Sequence, residues 1–161
     1  MTKITPQQIT AQARSWLGTK YHHQGRLKKS KRGPCGVDCI GLVIGVIDEL
    51  GLQDGQGKPL SQHDEFNYSM YPERGRLVAS ISKHLREIPA EKMREGDVLL
   101  FKFFTDPQHV GLLTQYPTGG LGVIHCTSTS GWVVEQPFSD GMRRMLTHVY
   151  RFKTKQLQPL K

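Results

Sequence analysis

One stretch near the first third of the chain constrains the fold more than any other. Cys39, Leu42, Val43, Val46, Ile47 and Leu50 recur at i, i+3, i+4, i+7, i+8 and i+11, the spacing of a single helix face. Asp38 stands where an N-cap belongs, and Gly51 where a helix gives way to a left-handed glycine. A helix this apolar has to run against a core, so the rest of the chain must supply the surface that covers it. The 161 residues, 37% apolar and 22% charged, suffice for one such core. We therefore expect one domain over residues 1–161.

Two flanking patterns suggest what covers the helix. Upstream, Thr5-Pro6-Gln7-Gln8 reads as a capped start, with Thr5 as N-cap, Pro6 in the first turn and Gln8 closing a capping box. Ile9, Ala13, Trp16 and Leu17 then keep helical spacing until Gly18. Residues 18–37 read as a loop, and residues 51–71, rich in Gly, Gln, Asp and Ser, as irregular chain. A third helix is expected from about Glu73 to Leu85. Beyond Pro89 come five short β-rich segments: Val98–Phe104, Val110–Gln115, Gly122–Thr127, Trp132–Gln136 and Val149–Phe152. Helices followed by strands predict an α+β fold on an antiparallel sheet of about five strands.

Cys39 is the residue with the clearest chemical potential. A thiol in the first turn of a helix faces unpaired backbone N–H groups and the positive end of the helix dipole. Both favour thiolate and predict alkylation of Cys39 at mildly acidic pH. The same N–H groups can stabilise an oxyanion. His109 opens one predicted strand and His125 closes the next, so an antiparallel hairpin would bring both to one end of the sheet. One imidazole could then serve as a base for Cys39 and the other could orient it. Other uses of these atoms remain open at this point: a buried structural cysteine, partly buried histidines, or zinc held by Cys39, His109, His125 and Cys126. Neither Cys-x-x-Cys nor His-x-x-x-His spacing is present. Cys126 should point to the opposite strand face from His125. Cys35 lies four residues before Cys39, close enough to raise the question of a regulatory disulfide.

Five pieces in order carry a family resemblance: Gly18-Thr19-Lys20-Tyr21, Asp38-Cys39-Ile40-Gly41-Leu42-Val43, Gly96-Asp97-Val98-Leu99-Leu100-Phe101, His109-Val110-Gly111-Leu112 and Val123-Ile124-His125. Together they resemble the NlpC/P60 cysteine peptidases over about residues 10–135. The resemblance implies a papain-like α+β fold that hydrolyses stem-peptide amides of peptidoglycan, usually between γ-D-glutamyl and a diamino acid. It implies no cofactor and no metal. By it, Cys39 is the nucleophile, His109 the base and His125 the third, orienting residue. Tyr21 lines the site, and Asp38 either contacts the substrate amine or only caps the helix. Ile40 departs from the serine usual after the cysteine. Gln24-Gly25-Arg26 and the Asp-Cys-Ile-Gly-Leu variant are most similar to small peptidases of phage tails and gene-transfer particles. That similarity makes tail hub or tail-tip proteins the expected partners.

Charge and composition bear on the rival readings. Lys plus Arg number 22 against 14 acids, a net charge of +8 that favours anionic partners. Five of the cations fall within Arg26–Arg32, a run expected beside the cleft entrance. The rivals to an enzyme are a non-catalytic tail hub or plug protein and a basic nucleic-acid-binding module. No helix–turn–helix, RRM or zinc-finger pattern accompanies the basic run, so no specific nucleic-acid recognition is expected. No apolar run approaches the ~20 residues of a membrane-spanning helix. Met1–Gln8 has no apolar core of a Sec-type signal, and three cysteines are an odd number suited to synthesis in a reducing compartment. The expected location is a virion tail, or the host cytoplasm before action at the periplasmic or wall layer.

Overall fold

A computed structural model describes residues 3–71 and 73–159. The first helix, α1 (Pro6–Arg14), begins as its sequence requires. Thr5 Oγ1 accepts from the Gln8 N–H at 3.1 Å, and Gln8 Oε1 accepts from the Thr5 N–H at 2.8 Å. A two-stranded hairpin of β1 (Arg26–Leu27) and β2 (Gly36–Val37) follows, within residues read from sequence as loop. The apolar helix α2 (Cys39–Glu49) is capped by Asp38, and Gly51 follows it with φ +61°. Then come α3 (Arg76–His84), β3 (Leu85–Ile88), β4 (Val98–Lys102), β5 (Pro107–Gln115), β6 (Leu121–Cys126), β7 (Val133–Pro137), α4 (Asp140–Met145) and β8 (Leu146–Phe152).

The main sheet is antiparallel, six-stranded and ordered β3-β8-β4-β5-β6-β7. The architecture is the expected α+β one with one strand more than predicted. The extra strand is β3. Leu77, Ile81 and Leu85 continue a helical spacing, but Leu85 turns extended, with φ −114° and ψ 155°, and residues 85–88 pair with β8. Arg86 and Glu87 stay exposed along this short outer strand, so it carries no apolar alternation to read. α3 also starts later than expected, after Gly75 with φ +69°.

Alternation divides the sheet into two faces. Val98, Leu100, Val110, Leu112, Ile124 and Cys126 pack against α1 and α2, while Leu99, Phe101, Leu113 and Val123 pack under Phe138, just before α4, and Met142 of α4. The Gly96-Asp97 motif anchors the sheet entrance. Asp97, 1% exposed, accepts from Arg151 Nε and Nη2, both at 2.7 Å, and from the Arg94 N–H at 2.8 Å. Arg14 clamps Glu135 of β7 with two bonds of 2.9 and 2.8 Å, tying α1 to the far strands.

Two glycines let the hairpin and α1 sit directly on α2. A methyl at Gly41 would lie 2.1 Å from the Gly25 carbonyl oxygen, and one at Gly45 would lie 2.1 Å from the Trp16 ring. The hairpin thus runs along the helix away from its N-terminus. Lys28 reaches the far end, bonding Glu49 at 3.0 and 3.1 Å and Ser15 at 2.6 Å, and lies 5.3 Å over the Trp16 ring. Ten residue steps along α2 lead from Cys39 to Glu49, about 15 Å at the rise of an α-helix. Arg26, the first cation of the run, stays at the Cys39 end on Asp38, whereas Lys28 pairs with Glu49 at the other end of α2, so the run leads away from Cys39 rather than lying wholly beside a cleft there.

Replacing Gly41 by Ala should cost about 1–3 kcal/mol, the range for overpacking against an atom that cannot yield. Urea unfolding of the intact chain checks this, with a lower midpoint at unchanged slope as the expected result.

Candidate active site

The candidate site forms where the N-terminus of α2 meets the start of β5. Cys39 is the first residue of α2, and the backbone N–H groups of Val110, Ile40 and Cys39 itself favour its thiolate form. Val110 directly follows His109, so the strand that presents the imidazole also touches the thiol. β5 is irregular at this point. Phe101 pairs with His109 but Lys102 pairs with Pro107, so Gln108 is bulged out of the ladder. A bulge bends its strand and re-aims the neighbouring side chain.

His109 Nε2 and His125 Nδ1 are 2.8 Å apart, a hydrogen bond within a buried pair whose ring centroids are 5.0 Å apart. The register explains the meeting. Leu112 pairs with Ile124, which puts Gly111 opposite His125 and His109 one diagonal step away. A methyl at Gly111 would stand 3.3 Å from His125 Cβ and 2.6 Å from Val123 Cγ1. The missing side chain leaves room for the two rings. Phe103, ring centroid 5.3 Å away and nearly parallel, backs His109 from the other side.

Asp38, 4% exposed, is surrounded by donors. Its carboxylate accepts from the Gly41 N–H at 2.8 Å, the Gln24 N–H at 2.8 Å, Tyr68 Oη at 2.5 Å and Arg26 Nη1 at 3.2 Å. It caps α2, and its accepting positions are filled from within the chain. Arg26 in turn holds Asp64 through Nε at 2.7 Å and Nη2 at 2.9 Å. Tyr21 is partly buried, and its hydroxyl pKa is raised by burial, then by Asp38, Cys39 and Cys126, which places it at the same site. Cys126 lies on the other strand face from His125, as alternation predicts, and donates to the Val37 carbonyl at 3.3 Å. His23 contacts the Tyr68 carbonyl at 3.2 Å, His22 is exposed, and Cys35 is a free thiol.

The sequence profile of the NlpC/P60 family matches residues 18–151. The chain belongs to the NlpC/P60 family. Solved structures agree on the fold. An NlpC/P60 family protein from Bacillus cereus ATCC 10987 is similar with a TM-score of 0.60 at 15% identity, over 94% of this chain and 41% of that one. This chain therefore spans about two-fifths of the length of that relative. The NlpC/P60 domain of peptidoglycan hydrolase SagA gives 0.55 at 19% identity, over 92% of this chain and 100% of that one. An N-acetylmuramoyl-L-alanine amidase from Bacteroides uniformis ATCC 8492 gives 0.57 at 17% identity, over 92% and 99%. No curated protein sequence matches the chain.

Within this NlpC/P60 fold the electrostatics differ from what the helix N-terminus alone suggests. Burial, reinforced by the Asp38 carboxylate, pushes the Cys39 thiol up to about 12, and the three N–H groups offset only part of this. Burial also pulls His109 down to about 3, with His125 adding to the fall, and His125 itself is lowered by burial. At neutral pH the resting site therefore holds a neutral thiol beside neutral imidazoles. The expectation of a preformed thiolate is corrected: desolvation outweighs the dipole. Among the described residues no hydrogen bond joins the Cys39 sulfur to His109. Asp64 and Tyr68 carry no motif in the sequence, and Gln24 and Arg26 enter there only through the Gln24-Gly25-Arg26 similarity and the basic run, not as partners of Asp38. Tyr68 and Asp64 lie in the polar stretch before α3, where no periodicity marks them.

Because the reactive form is the thiolate, Cys39 alkylation by iodoacetamide should climb about tenfold per pH unit from pH 6 to 9. Peptide mapping after brief labelling measures it, and a plateau already reached near pH 6 would instead reveal a thiolate–imidazolium pair.

Proposed function

We propose that the protein is a cysteine hydrolase acting on stem-peptide amides of peptidoglycan, with residues 1–161 as one peptidase unit. The reading rests on one observation above all: His109 of the hydrogen-bonded His109–His125 pair stands on β5 directly before Val110, whose backbone N–H favours the Cys39 thiolate. Two proteins of similar structure, a peptidoglycan hydrolase and an N-acetylmuramoyl-L-alanine amidase, support the substrate class. Family resemblance favours the γ-D-glutamyl–diamino acid bond.

In this reading His109 Nδ1 takes the Cys39 proton as the sulfur bonds to the amide carbonyl carbon. The carbonyl oxygen becomes an oxyanion beside the first-turn N–H groups of α2. The C–N bond then breaks, His109 delivers the proton to the leaving nitrogen, and water hydrolyses the acyl-enzyme. His125 holds His109 in orientation and tautomer. Tyr21 lines the substrate channel. Asp38, its accepting positions already filled, acts as cap and anchor rather than as an amine receptor. The Gln24-Gly25-Arg26 and Asp-Cys-Ile-Gly-Leu similarities support a place in a phage or gene-transfer-particle tail, with delivery to the wall by the particle. Hub or tail-tip proteins would be its neighbours there.

Digestion of purified sacculi, with released peptides identified by mass, tests the reading. Cys39→Ala should abolish release with the fold intact, and His109→Ala should lower it by about 10²–10⁴-fold. His125→Asn and His125→Gln should keep more activity than His125→Ala, since an amide can still accept the orienting bond. A folded wild-type protein that releases nothing from any sacculus would favour the non-catalytic tail plug.

A further inference from the structure

The hydrogen bond between His109 and His125 has a consequence one strand further on. One of the two nitrogens must donate. An imidazole at His109 that is to take a proton on Nδ1 already carries one on Nε2, so it is the donor and His125 Nδ1 the acceptor. Neutral His125 then carries its own proton on Nε2. That atom is buried and has no hydrogen-bond partner among the described residues, in a side chain only 6% exposed. A buried donor of this kind calls for an acceptor.

The sheet supplies one candidate. On β6 and β7, His125 pairs with Val134 and Val123 pairs with Gln136, so Gln136 stands one diagonal step from His125 on the same face. His109 stands one diagonal step away on the other side, across β5. The three side chains form a row over three adjacent strands. The Gln136 side chain raises the basicity of His125. Its amide nitrogen is directed to Met142 Sδ at 3.2 Å, which leaves the carbonyl oxygen as the end available to an N–H donor. Glu135, the neighbouring carboxylate, belongs to the opposite face and is held by Arg14 and Thr114, so it does not compete.

We propose that Gln136 is a positioning residue: its Oε1 accepts the His125 Nε2–H, fixes the tautomer of His125, and through it keeps His109 Nδ1 free of a proton. This inference rests on the catalytic reading above but predicts a property of the free protein that needs no substrate. In the wild type, Nε2 is the protonated nitrogen of both His109 and His125. Gln136→Leu removes the acceptor at similar volume and releases the Nδ1–H tautomers.

Histidine ring ¹⁵N–¹H correlation spectra of the full chain, taken beside muropeptide kinetics, test it. The expected result for Gln136→Leu is a major Nδ1–H form at His125. With it comes a kcat about tenfold lower or worse, as the competent fraction drops, at KM within about two-fold. Gln136→Glu, which keeps an acceptor, should restore the Nε2–H form and most of kcat. Unchanged ring spectra and unchanged kcat in Gln136→Leu would overturn the proposal. Should that variant fail to fold, the wild-type spectrum decides alone: an Nδ1–H proton on His125 overturns it, and an Nε2–H proton protected from exchange supports it. A wild-type protein that hydrolyses nothing would sink the catalytic reading, while the spectra would still decide the role of Gln136.

Discussion

The Asp38 carboxylate is the interaction on which the site depends. A carboxylate this deeply buried persists only when donors replace its water. Here the donors come from separate parts of the chain: the first turn of α2, the Gln24 backbone, the β1 arginine and Tyr68 of the segment before α3. Their convergence fixes where α2 begins, and therefore where Cys39 stands. Arg26 extends the anchor to Asp64, so the chain on both sides of α2 is registered against one side chain. The same negative charge sits beside the thiol and opposes its ionisation. The group that places the nucleophile thus also keeps it protonated.

Missing side chains matter as much as present ones. Gly41 and Gly45, four residues apart, open one stripe of α2 to the hairpin backbone and the Trp16 ring. Gly111 opens β5 opposite His125 and lets the rings of His109 and His125 meet diagonally. In each case a methyl would strike backbone or buried side chain. Close approach of this kind lets a small fold hold polar groups in a dry site without extra chain.

The parts legible in the sequence are those specified by neighbours along the chain. The Thr5–Gln8 capping box and the Asp38 cap form as their spacing predicts, and the apolar period of α2 gives its length. The opening and closing positions of His109 and His125 give their meeting once an antiparallel hairpin is assumed. What was not legible depends on partners distant in sequence. β3 owes its extended form to β8, and the β1–β2 hairpin to each other, through pairings too short to leave a periodic trace. The direction of the basic run depended on Lys28 finding Glu49. The protonation of the Cys39 thiol depends on distant groups in the same way. A helix N-terminus can be read from sequence, but the depth of burial and the proximity of the Asp38 charge cannot.

A neutral resting site is compatible with the proposed chemistry and sharpens it. Interactions accelerate a step only to the extent that they are stronger in the transition state than before it. N–H donors spent on a stable thiolate would be weakened as its charge moved to the substrate. With the thiol held protonated by burial and Asp38, charge first appears as the proton passes to His109 and the sulfur attacks. The donors at the start of α2 then meet that charge beside the buried Asp38, His109 and His125, where each hydrogen bond counts for more than it would in solvent. His109, whose basicity is lowered by the same burial, becomes a competent acceptor only when the negative charge it leaves behind is stabilised beside it. Desolvation therefore couples the two proton positions. Ionising the thiol alone, or the imidazole alone, is unfavourable, and moving the proton between them during attack is the route that the packing leaves open.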